Sequence, residues 1–203
     1  MNSETDLCTI EWHERIAILR LVSDDGTNRL SVARVRALAD AVAHLATQSP
    51  TRLVITGKTH FFSAGADLHE IAALTGPEAL RFAAMGQALM NAIAGFPAPT
   101  VAAIHGYCMG GGLDLALACS RRIAGPHAIF GHRGAALGLI TGLGGTQRMA
   151  RLVGRGKALE MLVAAEKLHA RQAWEIGLVT AIAEDPVGEA IHRIREAREQ
   201  TTS

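Results

Sequence analysis

A glycine run that leads into an acidic residue is the part of the sequence best suited to chemistry. Glycines occupy positions 110–112, after an apolar run at 100–104, and an Ala- and Leu-rich helix former follows with Asp114 in its first turn. Glycine lets a ligand approach the backbone, and the first N–H groups of a helix have no acceptor within it. The spacing predicts main-chain donors that stabilise negative charge beside one carboxylate.

Several candidate residues also have a purely structural explanation. An acid in the first turn of a helix complements the helix dipole, so both explanations of Asp114 stay open from the residues alone. His105 is expected to be held by hydrogen bonds in a turn. The nine histidines show no partner at metal-ligand spacing, and the glycine clusters fit neither GxGxxG nor a P-loop. No metal and no nucleotide cofactor are therefore expected.

The elements that must position these residues alternate between strands and helices. The apolar runs at 53–56 and 100–104 predict buried strands, the segment 7–22 predicts a hairpin, and 61–67 is expected to be a turn. This alternation indicates an α/β fold with right-handed crossover connections. The other predicted elements are helices over 32–45, 68–74, 77–93, 147–153, 157–165, 169–176 and 187–199, and strands over 121–124, 128–131 and 178–183.

Composition limits the class of protein. With 203 residues, of which 49% are hydrophobic, the chain can form one domain with a sizeable core, or one domain and a short appendage. The net charge of +1 predicts no binding to nucleic acid or to an anionic membrane. The stretch 1–11 lacks the apolar core of a signal peptide, and no apolar run approaches ~18 residues. Cys8, Cys108 and Cys119 lack CxxC spacing and are expected to be reduced thiols in a cytoplasmic protein.

Four separated segments share their order and spacing with one known family. They are FSAGADL at 62–68, HGYCMGGGLDL at 105–115, GLGGTQR with LVG at 142–154, and ARQA through GLV at 170–179. Together they resemble the crotonase superfamily, the enoyl-CoA hydratase/isomerase family. The match in order and spacing extends over roughly residues 16–182, which is most of the chain.

This resemblance implies an architecture. The expected fold is α/β, with a repeated ββα core, perpendicular sheets and helices packed around the core. The expected organisation is a crotonase-like core domain over residues 1–185 and a short C-terminal helix and tail over 186–203. The C-terminal helical region is then shorter than in many members. The family also assembles as homotrimers or pairs of trimers, so the same assembly is expected here.

The resemblance also implies a substrate and a set of site residues. The substrate and partner is an acyl-CoA thioester, whose enolate oxygen is held by backbone donors, and no separate cofactor is needed. By position, the two donors fall on Ala66 and Gly111, and Asp114 is the single general acid/base. The residues expected to bind CoA or the acyl group are Ala64, Gly65, Asp67, Leu68, Gly110, His132 and Gly134.

The sequence departs from the family at both acidic positions. Hydratases of the family place two glutamates around a water molecule, and here Asp114 and Gly134 stand at those positions. Aspartate withdraws the carboxylate by ~1.5 Å, the length of one carbon–carbon bond. Dienoyl-CoA isomerase-like members accept aspartate at the first position but carry acids where Gly134 and Gly142 stand here. His132 could transfer a proton and Arg133 could hold a carboxylate, or both could face solvent or the phosphates of CoA.

The leading hypothesis is enoyl-CoA hydration or double-bond isomerisation by a lyase or isomerase of fatty acid metabolism. One alternative is an acyl-CoA decarboxylase of the same superfamily. Another is a catalytically weakened subunit that binds CoA esters without turnover. A hydrolase with Ser63 as nucleophile is disfavoured because the GxSxG elbow is missing.

Overall fold

Pairs of strands followed by helices repeat along the chain, and after the first pair the two strands of each pair enter different sheets. This computed structural model describes residues 7–48 and 52–199, and within that part it contains ten strands and eight α-helices. The strands are β1 (Cys8–His13), β2 (Ile16–Leu21), β3 (Leu53–Thr56), β4 (Phe61–Ser63), β5 (Thr100–Ile104), β6 (Tyr107–Met109), β7 (Arg121–Ala124), β8 (Ile129–Gly131), β9 (Lys167–His169) and β10 (Ala181–Ile182). The helices are α1 (Val32–Thr47), α2 (Leu68–Ala72), α3 (Gly76–Ala94), α4 (Gly111–Ala118), α5 (Gly145–Val153), α6 (Arg155–Ala164), α7 (Ala170–Glu175) and α8 (Pro186–Glu199).

The strand order shows how the repeats build two sheets. The larger sheet has the order β1-β2-β3-β5-β7-β10, and its pairs are parallel except for the β1–β2 hairpin. The smaller sheet has the order β4-β6-β8-β9, and only its last pair is antiparallel. The pairs β3/β4, β5/β6 and β7/β8 each give their first strand to the larger sheet and their second to the smaller one. The predicted repeated ββα core is confirmed.

The chain changes sheet between β5 and β6 through a turn at Gly106. This residue has a φ of +57°, and a Cβ added there would lie 2.0 Å from the carbonyl oxygen of His60. The same oxygen accepts a hydrogen bond of 2.9 Å from the backbone N–H of Tyr107. Only glycine fits so close to the neighbouring backbone, and this turn therefore fixes the place where the two sheets meet.

Both faces of the larger sheet are covered at its central strands. Every residue of β3 and β5 is buried. Leu53 and Ile55 face the main core, which also contains apolar side chains of α1 and α3. Val54 and Val101 face a second cluster that includes Ala190 of α8. Parallel strands buried on both faces give continuous apolar runs, which is why the sequence predicts these two strands correctly.

The predicted helices are confirmed, and their ends differ by at most two residues. Strand β10 is shorter than the predicted 178–183, because the N–H groups of Leu178 and Val179 donate to the carbonyl oxygen of Ala173 and close the end of α7. Strands β4, β6 and β9 have three residues each, which is too short to show a period in the sequence. The turn expected over 61–67 therefore begins with a strand.

The C-terminal helix α8 packs on the face of the larger sheet formed by β3, β5 and β7. A domain boundary after residue 185 stays a prediction. Residues 1–6 and the tail residues 200–203 lie outside the described ranges. Within those ranges, no helix combines the length and the apolar composition that crossing a membrane requires.

Candidate active site

Two backbone turns face each other at one end of the smaller sheet. One follows β4 and contains Gly65, which has a φ of +94°; the other precedes α4 and contains Gly110, which has a φ of +51°. A Cβ added to Gly65 would lie 2.7 Å from the carbonyl oxygen of Met109 and 3.2 Å from the nitrogen of Gly111. The two turns approach this closely because Gly65 has no side chain.

Each turn presents a backbone N–H group. Ala66 pairs with Leu30, and that bridge uses the carbonyl oxygen of Gly65 and the N–H group of Asp67, so the N–H group of Ala66 takes no part in it. Gly111 is the first residue of α4, and the N–H groups of a first helical turn lack acceptors within the helix. The nitrogen of Ala66 lies 3.5 Å from the position of a Cβ on Gly111, so the two donors are neighbours.

These two residues line a cavity of about 400 Å³. Its wall is mostly apolar, and His132, Arg133 and Thr141 supply the polar side chains. Of the ten residues predicted for the site, the structure brings eight together in this wall. They are Ala64, Gly65, Ala66, Leu68, Gly110, Gly111, His132 and Gly134.

Asp114 lies behind the cavity wall and is fully buried. Its Oδ1 lies 3.2 Å from Nε2 of His132, and its Oδ2 accepts a hydrogen bond from the hydroxyl group of Thr141. Both partners line the cavity, whereas Asp114 does not. The predicted general acid/base is therefore separated from the cavity by His132 and Thr141, and its direct contact with substrate stays a prediction.

The room for the carboxylate comes from Gly145, the first residue of α5. A Cβ added there would lie 1.6 Å from Oδ1 of Asp114. Sequence reasoning did not identify Thr141 or Gly145 as site residues. The glycine-rich turn at 142–146 was visible as a motif, but no pattern in it indicates that it packs against a carboxylate about thirty residues earlier.

Gly134, which stands where the family carries its second acid, has little space for a side chain. A Cβ added there would lie 2.6 Å from the carbonyl oxygen of Leu139 and 3.8 Å from Nδ1 of His132. The carbonyl oxygen of Gly134 accepts hydrogen bonds of 2.8 Å from the N–H groups of Leu137 and Leu139. These hydrogen bonds close a turn over residues 134–139. His132 lies beside Gly134, the position of the missing acid.

Asp67 is placed as a helix cap. Its carboxylate accepts hydrogen bonds from the N–H groups of His69 and Glu70, at 3.0 and 3.2 Å, and so begins α2. Glu70 in turn accepts a hydrogen bond of 2.9 Å from the N–H group of Val32 at the start of α1. Asp67 is not part of the cavity wall, so its predicted contact with CoA stays a prediction.

The charge of Asp114 affects two neighbouring groups. Burial, and then the nearby carboxylate, raises the pKa of the Cys108 thiol well above its usual range, so this thiol is not a nucleophile. Burial lowers the pKa of Arg148, and the attraction of Asp114 opposes that change. Arg148 also donates to the carbonyl oxygen of Leu143 at 3.1 Å and to Oδ1 of Asn91 at 2.6 Å, which holds the glycine-rich turn against α3.

The described ranges hold no group of three or more His, Cys, Asp or Glu side chains placed to bind a metal ion. The polar chemistry of the site comes from backbone N–H groups and from the cluster of Asp114, His132 and Thr141. This arrangement can stabilise an oxyanion and move a proton.

The fold and the paired donors place the protein in a class of known structure. The crystal structure of an enoyl-CoA hydratase from Thermoplasma volcanium superimposes with a TM-score of 0.91 at 29% identity, covering 97% of this chain and 79% of that one. A Bacillus anthracis enoyl-CoA hydratase gives a TM-score of 0.89 at 30% identity, covering 94% of this chain and 76% of that one. The crotonase-like fold expected from the sequence is confirmed.

Sequence similarity identifies the family within this structural class. The family model described as enoyl-CoA hydratase/isomerase matches residues 11–202, and the chain belongs to this family. A protein named probable enoyl-CoA hydratase from Bacillus subtilis is 41% identical over 172 residues, which are 84% of this chain and 66% of that protein. A crotonyl-CoA hydratase from Syntrophomonas wolfei is 37% identical over 175 residues, 85% of this chain and 67% of that protein. The chain spans about two thirds of the length of these curated relatives.

Proposed function

We propose that the protein acts on the double bond of an enoyl-CoA thioester, either by adding water across it or by moving it along the acyl chain. The observation that carries this proposal is the pair of neighbouring N–H donors, on Ala66 and Gly111, in the wall of an apolar cavity. The names of the Bacillus and Syntrophomonas relatives support the same activity.

The two donors stabilise the charge that the reaction creates. Addition at carbon 3, or removal of a proton from a carbon next to the double bond, moves an electron pair toward the thioester oxygen. N–H groups fixed before the reaction lower the energy of that oxyanion, and one such donor contributes about 3–4 kcal/mol. Because both donors belong to the backbone at Ala66 and Gly111, their position depends on the two turns.

The cavity wall suits the rest of an acyl-CoA. Apolar side chains of Ile71, Leu74 and Phe82 line the side of the cavity formed by α2 and α3, where they can bury an acyl chain. Leu68, which is 46% exposed, and Arg133, which is also exposed, line the same cavity where it meets solvent. We assign this edge to the pantetheine and phosphate groups of CoA, which need contact with both apolar and cationic groups.

Mass spectrometry of the purified protein with crotonyl-CoA in deuterated water tests the proposal. A hydratase yields a product heavier by one water that retains one non-exchangeable deuteron on carbon 2. An isomerase exchanges carbon-bound hydrogen without adding water. Free crotonate mixed with unlinked CoA is the control and should remain unchanged, because it lacks the thioester oxygen that the donors hold.

Binding without turnover is the result that would contradict the proposal. Tight binding of enoyl-CoA esters of several chain lengths, with neither water addition nor deuterium exchange, would contradict the proposal. It would favour the subunit that binds CoA esters without turnover, or decarboxylation of an acyl group that bears a carboxylate. One observation supports the subunit that only binds CoA esters: both oxygens of Asp114 are in contact with protein side chains, those of His132 and Thr141.

We also propose that the chain assembles as a homotrimer or a pair of trimers in the cytoplasm. Leu159 and Val163 of α6 are 63% and 66% exposed, which is unusual for apolar side chains on one helix and supports a contact with another subunit. The bacterial origin of the two relatives supports the location. Sedimentation velocity measures the assembly, and a monomer at micromolar concentration would contradict it.

A further inference from the structure

The carboxylate of Asp114 cannot exchange protons with a substrate directly while its present contacts last. The residue is fully buried, its Oδ2 accepts a hydrogen bond from the hydroxyl group of Thr141, and its Oδ1 lies 3.2 Å from Nε2 of His132. A carboxylate only accepts hydrogen bonds, so the contacts with Thr141 and His132 take up both of its oxygens. The proton-transfer group that faces the cavity must then be another residue.

His132 has the required position. It is 4% exposed, lines the cavity, and lies with Nε2 at 3.2 Å from Oδ1 of Asp114. When Nε2 donates to the carboxylate of Asp114, the free lone pair of the imidazole is on Nδ1. Nδ1 lies 3.8 Å from the position of a Cβ on Gly134, beside the place where the family carries its second acid.

We propose that His132 is the catalytic proton-transfer residue of this site and that Asp114 and Thr141 are its positioning residues. This inference rests on the proposed function. A carboxylate fixes the ring orientation and the tautomer of a histidine and stabilises the imidazolium that forms during the reaction. Thr141 holds the second carboxylate oxygen and so prevents the carboxylate from rotating away from the ring.

One histidine is sufficient for the complete addition of water. Nδ1 removes a proton from water as the water oxygen bonds to carbon 3. The electron pair of the double bond moves to the thioester oxygen, which the N–H groups of Ala66 and Gly111 hold. The imidazolium then returns the proton to carbon 2 as the thioester carbonyl re-forms. One water is consumed, the histidine regains its original state, and no other reactant is needed.

The neighbouring groups offer no better candidate. A side chain on Gly134 would lie 2.6 Å from the carbonyl oxygen of Leu139, so that position cannot carry an acid in this backbone. The thiol of Cys108 is fully buried and stays protonated. The guanidinium group of Arg133 offers only hydrogen-bond donors and so cannot act as a base.

The test compares the unmodified protein with four variants, His132→Ala, His132→Gln, Asp114→Asn and His127→Ala. Glutamine keeps a hydrogen-bond donor for Asp114 but cannot take up a proton. His127 is an exposed histidine and serves as the matched control. Turnover of crotonyl-CoA, its dissociation constant, and the circular dichroism spectrum are measured for each protein, and the His132→Ala assay is repeated with added imidazole.

We expect both His132 variants to lose ~100-fold or more in kcat while the dissociation constant changes by less than ~3-fold. Added imidazole should restore part of the activity of His132→Ala. Asp114→Asn should lose a similar factor, because the amide permits the wrong ring tautomer, and imidazole should not rescue it. His127→Ala should match the unmodified protein.

Turnover by a folded His132→Gln protein at the unmodified rate would overturn the role of His132 and leave the proposed function intact. If the affinity for crotonyl-CoA fell by the same factor as kcat, His132 would act in substrate binding and not in proton transfer. That result would also overturn the proposal. An unmodified protein that binds crotonyl-CoA and other enoyl-CoA esters without turnover would instead contradict the proposed function, and the proton-transfer role with it.

Discussion

The carboxylate of Asp114 occupies the space that a side chain on Gly145 would fill. A Cβ on Gly145 would lie 1.6 Å from Oδ1, the same oxygen that faces Nε2 of His132. The first turn of α5 and the first turn of α4 therefore meet at one carboxylate oxygen. The contact between Asp114 and His132 therefore requires glycine at position 145.

Replacing Gly145 with alanine should displace that carboxylate. We expect Gly145→Ala to lower activity ~100-fold or more and to reduce the free energy of unfolding by about 1–3 kcal/mol, because the overpacked group is buried. Gly156→Ala, also in the first turn of a helix, is the control, since a Cβ there meets no atom within 4 Å. It should keep full activity and equal or slightly greater stability. Equal behaviour of the two variants in activity assays and urea unfolding would contradict this prediction.

The junction between the sheets allows a second matched comparison. Gly26 and Gly106 both have positive φ values, +70° and +57°, but only at Gly106 does an added Cβ meet backbone atoms. Gly26→Ala should lower the free energy of unfolding by about 1–2 kcal/mol through backbone strain alone. Gly106→Ala should lower it further or prevent folding, because the Cβ would lie 2.0 Å from the carbonyl oxygen of His60. Thermal unfolding measures both effects. Similar melting temperatures would show that the backbone at His60 can shift to accommodate the added Cβ.

A buried arginine joins β7 to its surroundings. Arg122 is 4% exposed, and its guanidinium donates at 2.7 Å to the carbonyl oxygens of both Leu178 and Cys119. Arg122→Met should lower the free energy of unfolding by about 1–3 kcal/mol for each carbonyl left without a donor. The adjacent Arg121 is exposed, so Arg121→Met should change it by less than about 0.5 kcal/mol. The midpoints of urea unfolding give both values, and no difference between them would refute the role of Arg122.

Burial of Cys119 predicts a loss of stability at alkaline pH. Burial raises the pKa of this thiol to about 12, whereas the thiol of an unfolded chain ionises near its ordinary pKa of 9.0. The unfolded chain thus releases the proton first, so stability from this group is complete below about pH 9 and is lost as pH rises toward 12. The slope reaches about 1.4 kcal/mol per pH unit for one thiol. Urea unfolding at several pH values should show a shallower decline for Cys119→Ala than for the unmodified protein.

Thiol accessibility gives a direct check on the same burial. Cys8 is half-buried, whereas Cys108 and Cys119 are buried, and both buried thiols have raised pKa values. At about pH 8, iodoacetamide should therefore modify Cys8 in the native protein and spare the other two. All three should react in concentrated urea. Modification of Cys108 in the native protein, detected by peptide mass spectrometry, would mean that the packing around α4 opens readily.

The two turns of the site were predictable from sequence because they depend on local backbone conformation, whereas the assignment of the donors to Ala66 and Gly111 came from the family resemblance. Glycine at positions 65 and 110 is needed for positive φ values, and Gly111 begins a helix directly after a strand. These are features of a few consecutive residues. The strands β3 and β5 were predictable for a similar reason, since burial on both faces produces a continuous apolar run.

The partners of Asp114 were not predictable in the same way. His132 and Thr141 lie 18 and 27 residues further along the chain, and Thr141 belongs to an irregular segment between the 3-10 helix at Ala135–Leu137 and α5. Their approach results from the packing of α5 against α4 and from the position of His132 directly after β8, which no local pattern indicates. The sequence identified His132 as a candidate but could not show that it stands between the acid and the cavity.

The alternation of strand pairs between the two sheets has a consequence for how the molecule opens. Only two residues separate β5 from β6, so unfolding of the larger sheet also disrupts the smaller one. The protein should therefore exchange its most protected amide hydrogens through a single global opening instead of two independent ones. Ala66 and Gly111 lie just after strands β4 and β6 of these joined sheets. The distance between their N–H groups should therefore change substantially only when both sheets unfold together.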